Sequence, residues 1–262
     1  MVTIFFQVKA FLLREQGRVV WRYYRALRFA ALDLCFGLAS LFFNPYRMCR
    51  KFLEKRGEGE VHAYGETPLT TFQTLATAAK LQSDDHYVEL GSGRGKTCLW
   101  AAYFVGCSVE GIEWIPLLAT LSQLFARLFR LPAHFHCQSI ADADLSKASV
   151  VYLYTLDHAP ELLAPLRSLR PGARLITISE PIEGFELLET VPVHFPWGET
   201  DAYIQRKCEL PGPKGPGFRR PDEISPHALV PKDFKGRQVP CRNLIDSSAN
   251  SAVNGRAPVQ YT

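Results

Sequence analysis

The sequence predicts an α/β fold: a Rossmann-like sheet of seven strands, mostly parallel with an antiparallel last strand, preceded by an N-terminal helical extension. Three observations predict it. Short apolar segments alternate with helical segments between residues 61 and 208, which is typical of a parallel sheet covered on both faces. A glycine-rich turn follows the first apolar segment at residues 91–95. The last two strand-like segments follow one another without an intervening helix, as in an antiparallel pair.

Length and composition predict one globular domain with two extensions. The chain has 262 residues, of which 47% are hydrophobic and 21% charged, so disorder cannot describe the whole chain. Its seven cysteines are scattered and form no CxxC pair, which argues against a disulfide framework or a zinc site. We expect no metal and an intracellular, reducing compartment. We place the segment boundaries at residues 1–58, 59–210 and 211–262.

The first segment is strongly basic. Residues 1–56 hold 11 lysines and arginines against 3 acidic residues, a formal charge of +8, whereas the rest of the chain holds 19 against 23, or −4. Four arginines recur at steps of four, four and three, which places them on one helical face. They are Arg14, Arg18, Arg22 and Arg25. This spacing predicts a basic amphipathic helix.

An apolar run follows at residues 29–43. It has only 15 residues and contains Asp33, whereas a membrane-spanning helix needs roughly 20 apolar residues. We therefore expect residues 1–56 to lie on an anionic membrane surface as a peripheral element. Two alternatives stay open. The segment could form helices that pack on the domain with solvated arginines, or it could be a mitochondrial transit peptide, because it is rich in arginine and poor in acidic residues.

The elements of the domain follow one another in a regular order. Helices are predicted at residues 69–81, at 96–104, in the apolar stretch that ends at 129, and at 159–169. Strands are predicted at residues 86–90, 108–114, 134–137, 149–154, 173–179, 185–193 and 200–208.

The last segment, residues 211–262, changes abruptly in composition. It begins with the sequence PGPKGPG and continues as a polar stretch. Proline and glycine at this density prevent regular structure, and too few large apolar residues are present to offset the entropy of ordering. We predict a linker followed by a disordered tail.

The turn in YVELGSGRGKT, residues 87–97, is typical of a nucleotide site. A P-loop needs a glycine five residues before the glycine of its Gly-Lys-Thr sequence, and counting back from Gly95 gives Leu90. A dinucleotide fingerprint needs a glycine at its sixth position, where this chain has Lys96. The turn therefore fits neither motif well.

An acidic residue followed by alternate glycines describes the turn better: Glu89-x-Gly91-x-Gly93-x-Gly95. S-adenosylmethionine has a zwitterionic amino-acid end, which needs a carboxylate near its ammonium group and backbone N–H groups near its carboxylate. Glycines let the backbone approach such a ligand closely. Glu113, at the end of the second predicted strand, is placed to accept hydrogen bonds from both ribose hydroxyls. Together these residues predict an S-adenosylmethionine site.

A further motif, YGET at residues 64–67, precedes the first helix of the domain. With YGET, a helix, DDHYVELGSGRGK and GCSVEGIEW in this order, the chain resembles class I, seven-strand protein-lysine methyltransferases that use S-adenosylmethionine. The type it resembles is disruptor of telomeric silencing, the histone enzyme that lacks a SET domain. It is also similar to mitochondrial protein-lysine methyltransferases that act on membrane carriers and on an ATP synthase subunit. The resemblance covers about residues 62–208.

The resemblance implies a set of cofactor-binding residues. The set is Tyr64, Glu66, Thr67, Glu89, Gly91, Ser92, Gly93, Gly95, Lys96, Glu113, Trp114, Ser139 and Ile140. Tyr64, Glu66 and Thr67 would contact the donor from a loop that closes over it. Ser139 and Ile140 would meet the adenine, where the family commonly places an acidic residue.

The resemblance also implies an acceptor site. The catalytic residues we predict are Tyr154 and Asp157, in the sequence LYTLD, where the histone enzyme has asparagines. Tyr154, with Tyr64 and Trp197, would build an aromatic channel in which a lysine loses its proton more readily than in water. Asp157 and His158 are candidates for an acid and a base. The alternative role of Asp157 is a helix N-cap.

The function predicted from the sequence is S-adenosylmethionine-dependent protein-lysine N-methylation near a membrane surface, with a lysine-bearing protein as partner. Two alternatives remain. The first is a small-molecule or RNA methyltransferase, in which the arginine face would meet phosphates. The second is a non-catalytic scaffold that binds S-adenosylmethionine.

Overall fold

The structure is a computed structural model that describes residues 2–58, 64–154 and 163–208. The predicted tail at residues 211–262 and the predicted catalytic Asp157 lie outside these residues, as does the start of the helix predicted at 159–169.

Seven strands form one sheet, as the sequence predicts. They are β1 His86–Leu90, β2 Ser108–Glu113, β3 Ala133–Cys137, β4 Val150–Leu153, β5 Arg174–Ile178, β6 Phe185–Phe195 and β7 Gly198–Lys207. The strand order is β3-β2-β1-β4-β5-β7-β6. Strands β1 to β5 are parallel, and β7 is antiparallel to both β5 and β6. From β1 the chain builds the sheet outward in one direction through β2 and β3, and from β4 it builds in the other. Ligands bind at such a switch point in open α/β sheets.

Six α-helices accompany the sheet in the described chain. They are α1 Val2–Tyr23, α2 Leu27–Phe42, α3 Pro45–Arg56, α4 Leu69–Ala78, α5 Lys96–Trp100 and α6 Pro116–Leu128. A single π-helical turn, Ala101–Val105, extends α5, and a short 3₁₀ helix, Ala164–Ser168, stands within the helix predicted at 159–169.

Helix α4 ends earlier than the apolar pattern predicts, at Ala78 rather than at residue 81. The reason is local. Lys80 adopts a left-handed conformation with φ of 52°, and the Leu81 N–H returns to the Ala76 carbonyl at 2.9 Å. Such a terminal turn satisfies the last helical carbonyls, and the apolar residue beyond it still packs on the core.

The core lies under the central strands. Tyr87 on β1 and Tyr152 on β4 are 0% and 1% exposed, and the ring of Phe72 on α4 contacts both. The segments HYVEL and VVYL are almost continuously buried, as expected for strands covered on both faces.

Helices α1 and α2 pack against this same core. Their buried side chains are Val19, Tyr23, Phe29, Leu32 and Phe36. On α1, Glu15 accepts hydrogen bonds from the backbone N–H of Thr70 at 3.0 Å and from its hydroxyl at 2.6 Å. Burying each large apolar side chain contributes about 1.5–3 kcal/mol, so the two helices are held firmly against the sheet domain.

The apolar run of α2 was also considered as a membrane element. Among the described helices, none is by itself long and apolar enough to span a bilayer. Helices α2 and α3 reach the required length and hydropathy only as a pair, and they are bent by 54° at their junction.

Candidate active site

The glycine turn lies at the carboxyl end of β1. The N–H groups of Gly91 and Ser92 both donate to the Ile112 carbonyl at 2.9 Å, which ties the turn to β2. Gly91, Gly93 and Gly95 have φ of 78°, 54° and 71°. L-residues with a Cβ rarely adopt this conformation, so the alternate glycines are required by the path of the backbone.

Glu113 reaches this turn from the end of β2. Its carboxylate accepts hydrogen bonds from the N–H of Gly93 and from the N–H of Ile115, both at 2.7 Å. Burial raises the pKa of Glu113 to about 7, against the opposing effect of these two backbone donors. The structure therefore brings Glu113, the residue predicted to bind the ribose, within hydrogen-bond distance of the predicted turn.

Glu89 occupies a buried polar cluster beside the turn. Its carboxylate accepts hydrogen bonds from the Thr97 hydroxyl at 2.5 Å, the Cys98 thiol at 3.1 Å and the Tyr87 hydroxyl at 3.2 Å. Burial raises the pKa of Glu89 to about 7, and the charge of Glu113 adds to the rise. Glu89 and Glu113 therefore lie close enough, at the same end of the sheet, for the charge of Glu113 to affect the pKa of Glu89.

The segment Tyr64 to Thr67 lies over the glycine turn. A Cβ added at Gly93 would stand 3.1 Å from the Tyr64 hydroxyl oxygen. That hydroxyl donates to Glu66 Oε1 at 2.6 Å, and Glu66 is bound on both oxygens by Arg94, at 2.5 and 2.6 Å. Burial alone would raise the pKa of Glu66, but the hydrogen-bonded guanidinium outweighs it and the pKa is lowered. Arg94 is not among the residues predicted from the sequence.

Helix α2 holds the other side of the turn. Arg94 donates to the hydroxyl of Ser40, and the Lys96 Nζ lies 3.3 Å from Asp33 Oδ1. Asp33, the single acidic residue of the apolar run, is buried and also accepts from Tyr24 at 2.9 Å. The side chain of Lys96 therefore anchors α2 to the turn.

The predicted adenine residues lie beyond β3. A Cβ at Gly91 would be 3.8 Å from the terminal methyl carbon of Ile140, so Ile140 flanks the turn. The Ser139 hydroxyl accepts a hydrogen bond from the Ala141 N–H at 3.3 Å and begins a short 3₁₀ turn.

Two other predicted residues already have partners. The ring of Trp114 packs edge to face on Phe52 at 5.4 Å, and the Arg56 guanidinium lies 4.5 Å from its centroid. The Thr67 hydroxyl is 2.6 Å from the Tyr152 hydroxyl, which links the YGET segment to β4.

Phe135 on β3 is a feature that the sequence analysis missed. A Cβ at Gly111 would lie 2.5 Å from its ring, and a Cβ at Gly95 would lie 2.6 Å from it. Neither glycine can be replaced without moving the ring. The available signal was Gly111 itself, because a glycine inside a strand marks a close approach of another group. Ser92 Oγ, beside Gly111, is buried and has no hydrogen-bond partner within the described residues.

An aromatic cluster stands at the end of β4. A Cβ at Gly65 would be 3.6 Å from the ring of Tyr154, and the Trp197 N–H donates to the Tyr154 hydroxyl at 2.9 Å. Phe195 packs on Tyr154 at 5.2 Å and is stacked on Trp197 at 5.3 Å. Tyr154 therefore lies between the YGET segment and the β6–β7 hairpin. Asp157, its predicted catalytic companion, lies outside the described residues.

These residues fit S-adenosylmethionine. Three glycines in the left-handed conformation form a turn against which Tyr64 and Glu113 both lie, and we call this arrangement the cradle. The buried carboxylates of Glu89 and Glu113 match the ammonium group and the two ribose hydroxyls of this ligand. Over residues 2–58, 64–154 and 163–208, no group of three or more His, Cys, Asp or Glu side chains could hold a metal ion.

The raised pKa values of Glu89 and Glu113, both about 7 against an ordinary 4.5, predict a pH effect. The folded, ligand-free protein keeps protons that the unfolded chain releases, so their contribution to stability is full below about pH 4.5 and is lost as pH rises through about 7. The ligand-free melting temperature is expected to fall between about pH 5.5 and 8. Donor affinity should rise over the same range, because the ammonium group needs charged carboxylates.

Thermal unfolding and donor titration at several pH values would check this. A Glu89→Gln variant, which cannot release the proton, should show a flatter fall in melting temperature. An identical profile in the variant and the wild type would contradict the role given to Glu89.

Known proteins resemble this chain in sequence and fold. Residues 50–158 match the family model described as "Histone methylation protein DOT1". A solved RNA methyltransferase from Salinibacter ruber, in complex with S-adenosyl-L-homocysteine, is 26% identical, and the alignment covers 56% of this chain and 97% of that one with a TM-score of 0.50. A comparison with curated protein sequences gives no match.

Two further solved structures are more distant. TrmN from Thermus thermophilus is 17% identical, with a TM-score of 0.47 and coverage of 55% of this chain and 50% of that one. Geranyl diphosphate C-methyltransferase from Streptomyces coelicolor A3(2) is 14% identical, with a TM-score of 0.46 and coverage of 53% and 76%. The family-model match and the Salinibacter ruber enzyme, together with the glycine turn, Glu113 and the strand order, identify the chain as a class I S-adenosylmethionine-dependent methyltransferase. It resembles the DOT1 type over residues 50–158.

Proposed function

We propose that this methyltransferase modifies lysine side chains of a protein. The observation that carries the proposal is the aromatic cluster of Tyr154, Phe195 and Trp197, which stands directly against Gly65 of the segment that covers the glycine turn. An aromatic surface beside the donor suits a lysine acceptor, because the charged and methylated forms of lysine are attracted to aromatic faces and its neutral form is favoured by loss of water.

Each part of the site has a distinct role in this proposal. Glu89, beside the glycine turn, would hold the amino-acid end of the donor, Glu113 its ribose, and Ile140 its adenine. When bound, S-adenosylmethionine supplies a methyl group on a positively charged sulfur. The aromatic cluster positions the lysine amine for in-line attack, which requires the reacting atoms to approach within about 3–3.5 Å. The DOT1 match supports a protein acceptor.

RNA is a second candidate acceptor. It is favoured by one specific observation, the 26% identity to the RNA methyltransferase of Salinibacter ruber. In that case the exposed arginines of α1 would contact phosphates.

One experiment separates these acceptors. The full chain is incubated with methyl-labelled donor and a fractionated cell lysate, and the label is followed into protein, nucleic acid and lipid. Label on protein, recovered as methyl-lysine after hydrolysis, is the expected result. Label on RNA would replace the lysine proposal with the second candidate. No transfer to any fraction, together with measurable donor binding, would favour the non-catalytic scaffold.

We further propose that the enzyme works at a membrane surface, through α2. The inner side of this helix is buried against the domain, while its outer side is apolar and exposed. The exposed side chains are Leu27, Leu34, Leu38, Leu41 and Phe42. Helix α6 lies alongside, since the Phe36 and Phe125 rings meet at 4.9 Å, and it adds the exposed Leu124 and Leu128. An apolar face of this kind with basic neighbours is typical of interfacial helices.

A double variant, Leu38→Asp with Leu41→Asp, is expected to lose binding to liposomes that contain anionic lipid. Both side chains are well exposed, so the fold should survive while two charges oppose insertion. Flotation would measure the bound fraction. The matched control is Leu187→Asp with Leu188→Asp on β6, which are also exposed and should leave binding unchanged. Wild-type protein that never floats would contradict the membrane proposal.

A further inference from the structure

A groove runs between α1, α4 and β6, away from the glycine turn. It consists of two adjoining cavities of about 810 and 320 Å³ that share Arg22 and Thr74. Trp21 lines the larger cavity and His194 the smaller one. The groove is formed by described residues of the two packed helices and the sheet edge. Its walls are fixed in part by the Thr71 hydroxyl, which donates to the His194 carbonyl at 2.8 Å.

The groove is basic. Arg18 and Arg22 line the smaller cavity, Arg22 and Arg25 the larger one, and Glu189 is the single acidic residue among the lining residues. All three arginines are exposed, and none of them forms a salt bridge within the described parts of the chain. Arg22 donates to the neutral Gln73, at 3.2 Å. Three uncompensated guanidinium groups along one wall favour an anionic occupant.

The smaller cavity reaches the end of β6 that carries the aromatic cluster. His194, which lines this cavity, is exposed and directly precedes the buried Phe195, which packs on Tyr154. The groove and the cluster therefore meet at adjacent residues of one strand. Arg18 and Arg22 lie one turn apart on α1, about 6 Å at 1.5 Å per residue, and Arg25 follows in the turn after the helix ends at Tyr23.

We propose that this groove binds an acidic segment of the acceptor protein, next to the lysine that enters the aromatic cluster. The inference rests on the proposed lysine methylation. The carboxylates of two or three Asp or Glu residues would pair with Arg18, Arg22 and Arg25. A polypeptide fits better than RNA, because Glu189 on the opposite wall opposes a continuous row of phosphates but tolerates discrete side chains.

The test compares three lysine peptides of equal length, in which the lysine is flanked by acidic residues, by their amides, or by arginines. Binding is read by fluorescence anisotropy with S-adenosyl-L-homocysteine present, so that no turnover is needed, and methylation is measured separately. The double variant Arg18→Glu with Arg25→Glu is expected to lower the affinity for the acidic peptide by about tenfold and to leave the affinity for the amide peptide unchanged. The affinity for the arginine peptide should rise.

Arg14→Glu is the control for Arg18→Glu alone, which should also weaken binding of the acidic peptide. Both variants reverse one charge on α1, but Arg14 lies one turn earlier, outside the lining of both cavities, and its replacement should change no peptide affinity. An equal effect of Arg14→Glu and the double variant would overturn the proposal, as would an RNA oligomer that outcompetes the acidic peptide. Failure of the proposed function is a different result: acidic-peptide binding that depends on Arg18 and Arg25, with no methyl-lysine in any peptide.

Discussion

A Gly93→Arg variant is expected to lose donor binding and methyl transfer while the sheet remains folded. Gly93 has φ of 54°, and its Cβ would stand 3.1 Å from the Tyr64 hydroxyl oxygen. A larger side chain must displace Tyr64 from the cradle, where we place the donor. The left-handed conformation also costs a residue with a Cβ about 1–3 kcal/mol, so some loss of stability is expected in addition.

Gly172→Arg is the control for this variant. Gly172 also has a left-handed φ, 83°, but nothing lies within 4 Å of its Cβ position, and it stands before β5, away from the turn. It should lose stability to a similar extent and keep donor affinity. Equilibrium dialysis with labelled donor and thermal unfolding measure the two effects. Normal donor binding by Gly93→Arg would show that the donor does not occupy the cradle.

The second large effect is expected for Glu113→Ala, a loss of donor affinity of about 10- to 100-fold. Each hydrogen bond to a charged group contributes about 1.5–3 kcal/mol, and the carboxylate is the acceptor that the two ribose hydroxyls require. The variant also leaves the N–H groups of Gly93 and Ile115 without their acceptor, so the turn itself should become less ordered.

Glu110→Ala is the control: it tests whether the loss of donor affinity is specific to Glu113 or follows from removing any carboxylate on β2. Glu110 lies on the same strand, is partly exposed and contacts His86 and His136 rather than the turn. Its replacement should leave the donor Kd within about twofold of the wild type, as is usual for an exposed pair. Calorimetric titration would separate the two variants. Equal Kd values for them would remove Glu113 from the donor site.

The sheet could be predicted from the sequence because its signals are local. Apolar segments such as VVYL, punctuated by glycine and proline turns, leave little choice of element type, and the two final segments have no room for a helix between them. The candidate site at the end of β1 could also be predicted, because its signals are local as well. Alternate glycines and the acidic ends of two strands are read directly from neighbouring positions, and parallel strands bring those ends together.

The remaining features depend on contacts between distant residues, which periodicity does not encode. The sequence left two alternatives for the apolar run of α2, a membrane-surface element or a helix packed on the domain; in the structure one of its sides packs into the core and the other stays exposed. Asp33 looked like an interruption of that run and is in fact the buried partner of Lys96. Arg94, an unremarked residue inside the glycine turn, proves to bind Glu66 and Ser40.

The central claim is that the glycine turn with Glu89 holds the amino-acid end, and Glu113 the ribose, of one S-adenosylmethionine molecule. A crystal structure with S-adenosyl-L-homocysteine tests it most directly. We predict ribose hydroxyls on the Glu113 carboxylate, the amino-acid end beside Glu89 and Gly91, and the sulfur facing Tyr154. A ligand bound elsewhere, or one that contacts only one of the two carboxylates, would contradict the account.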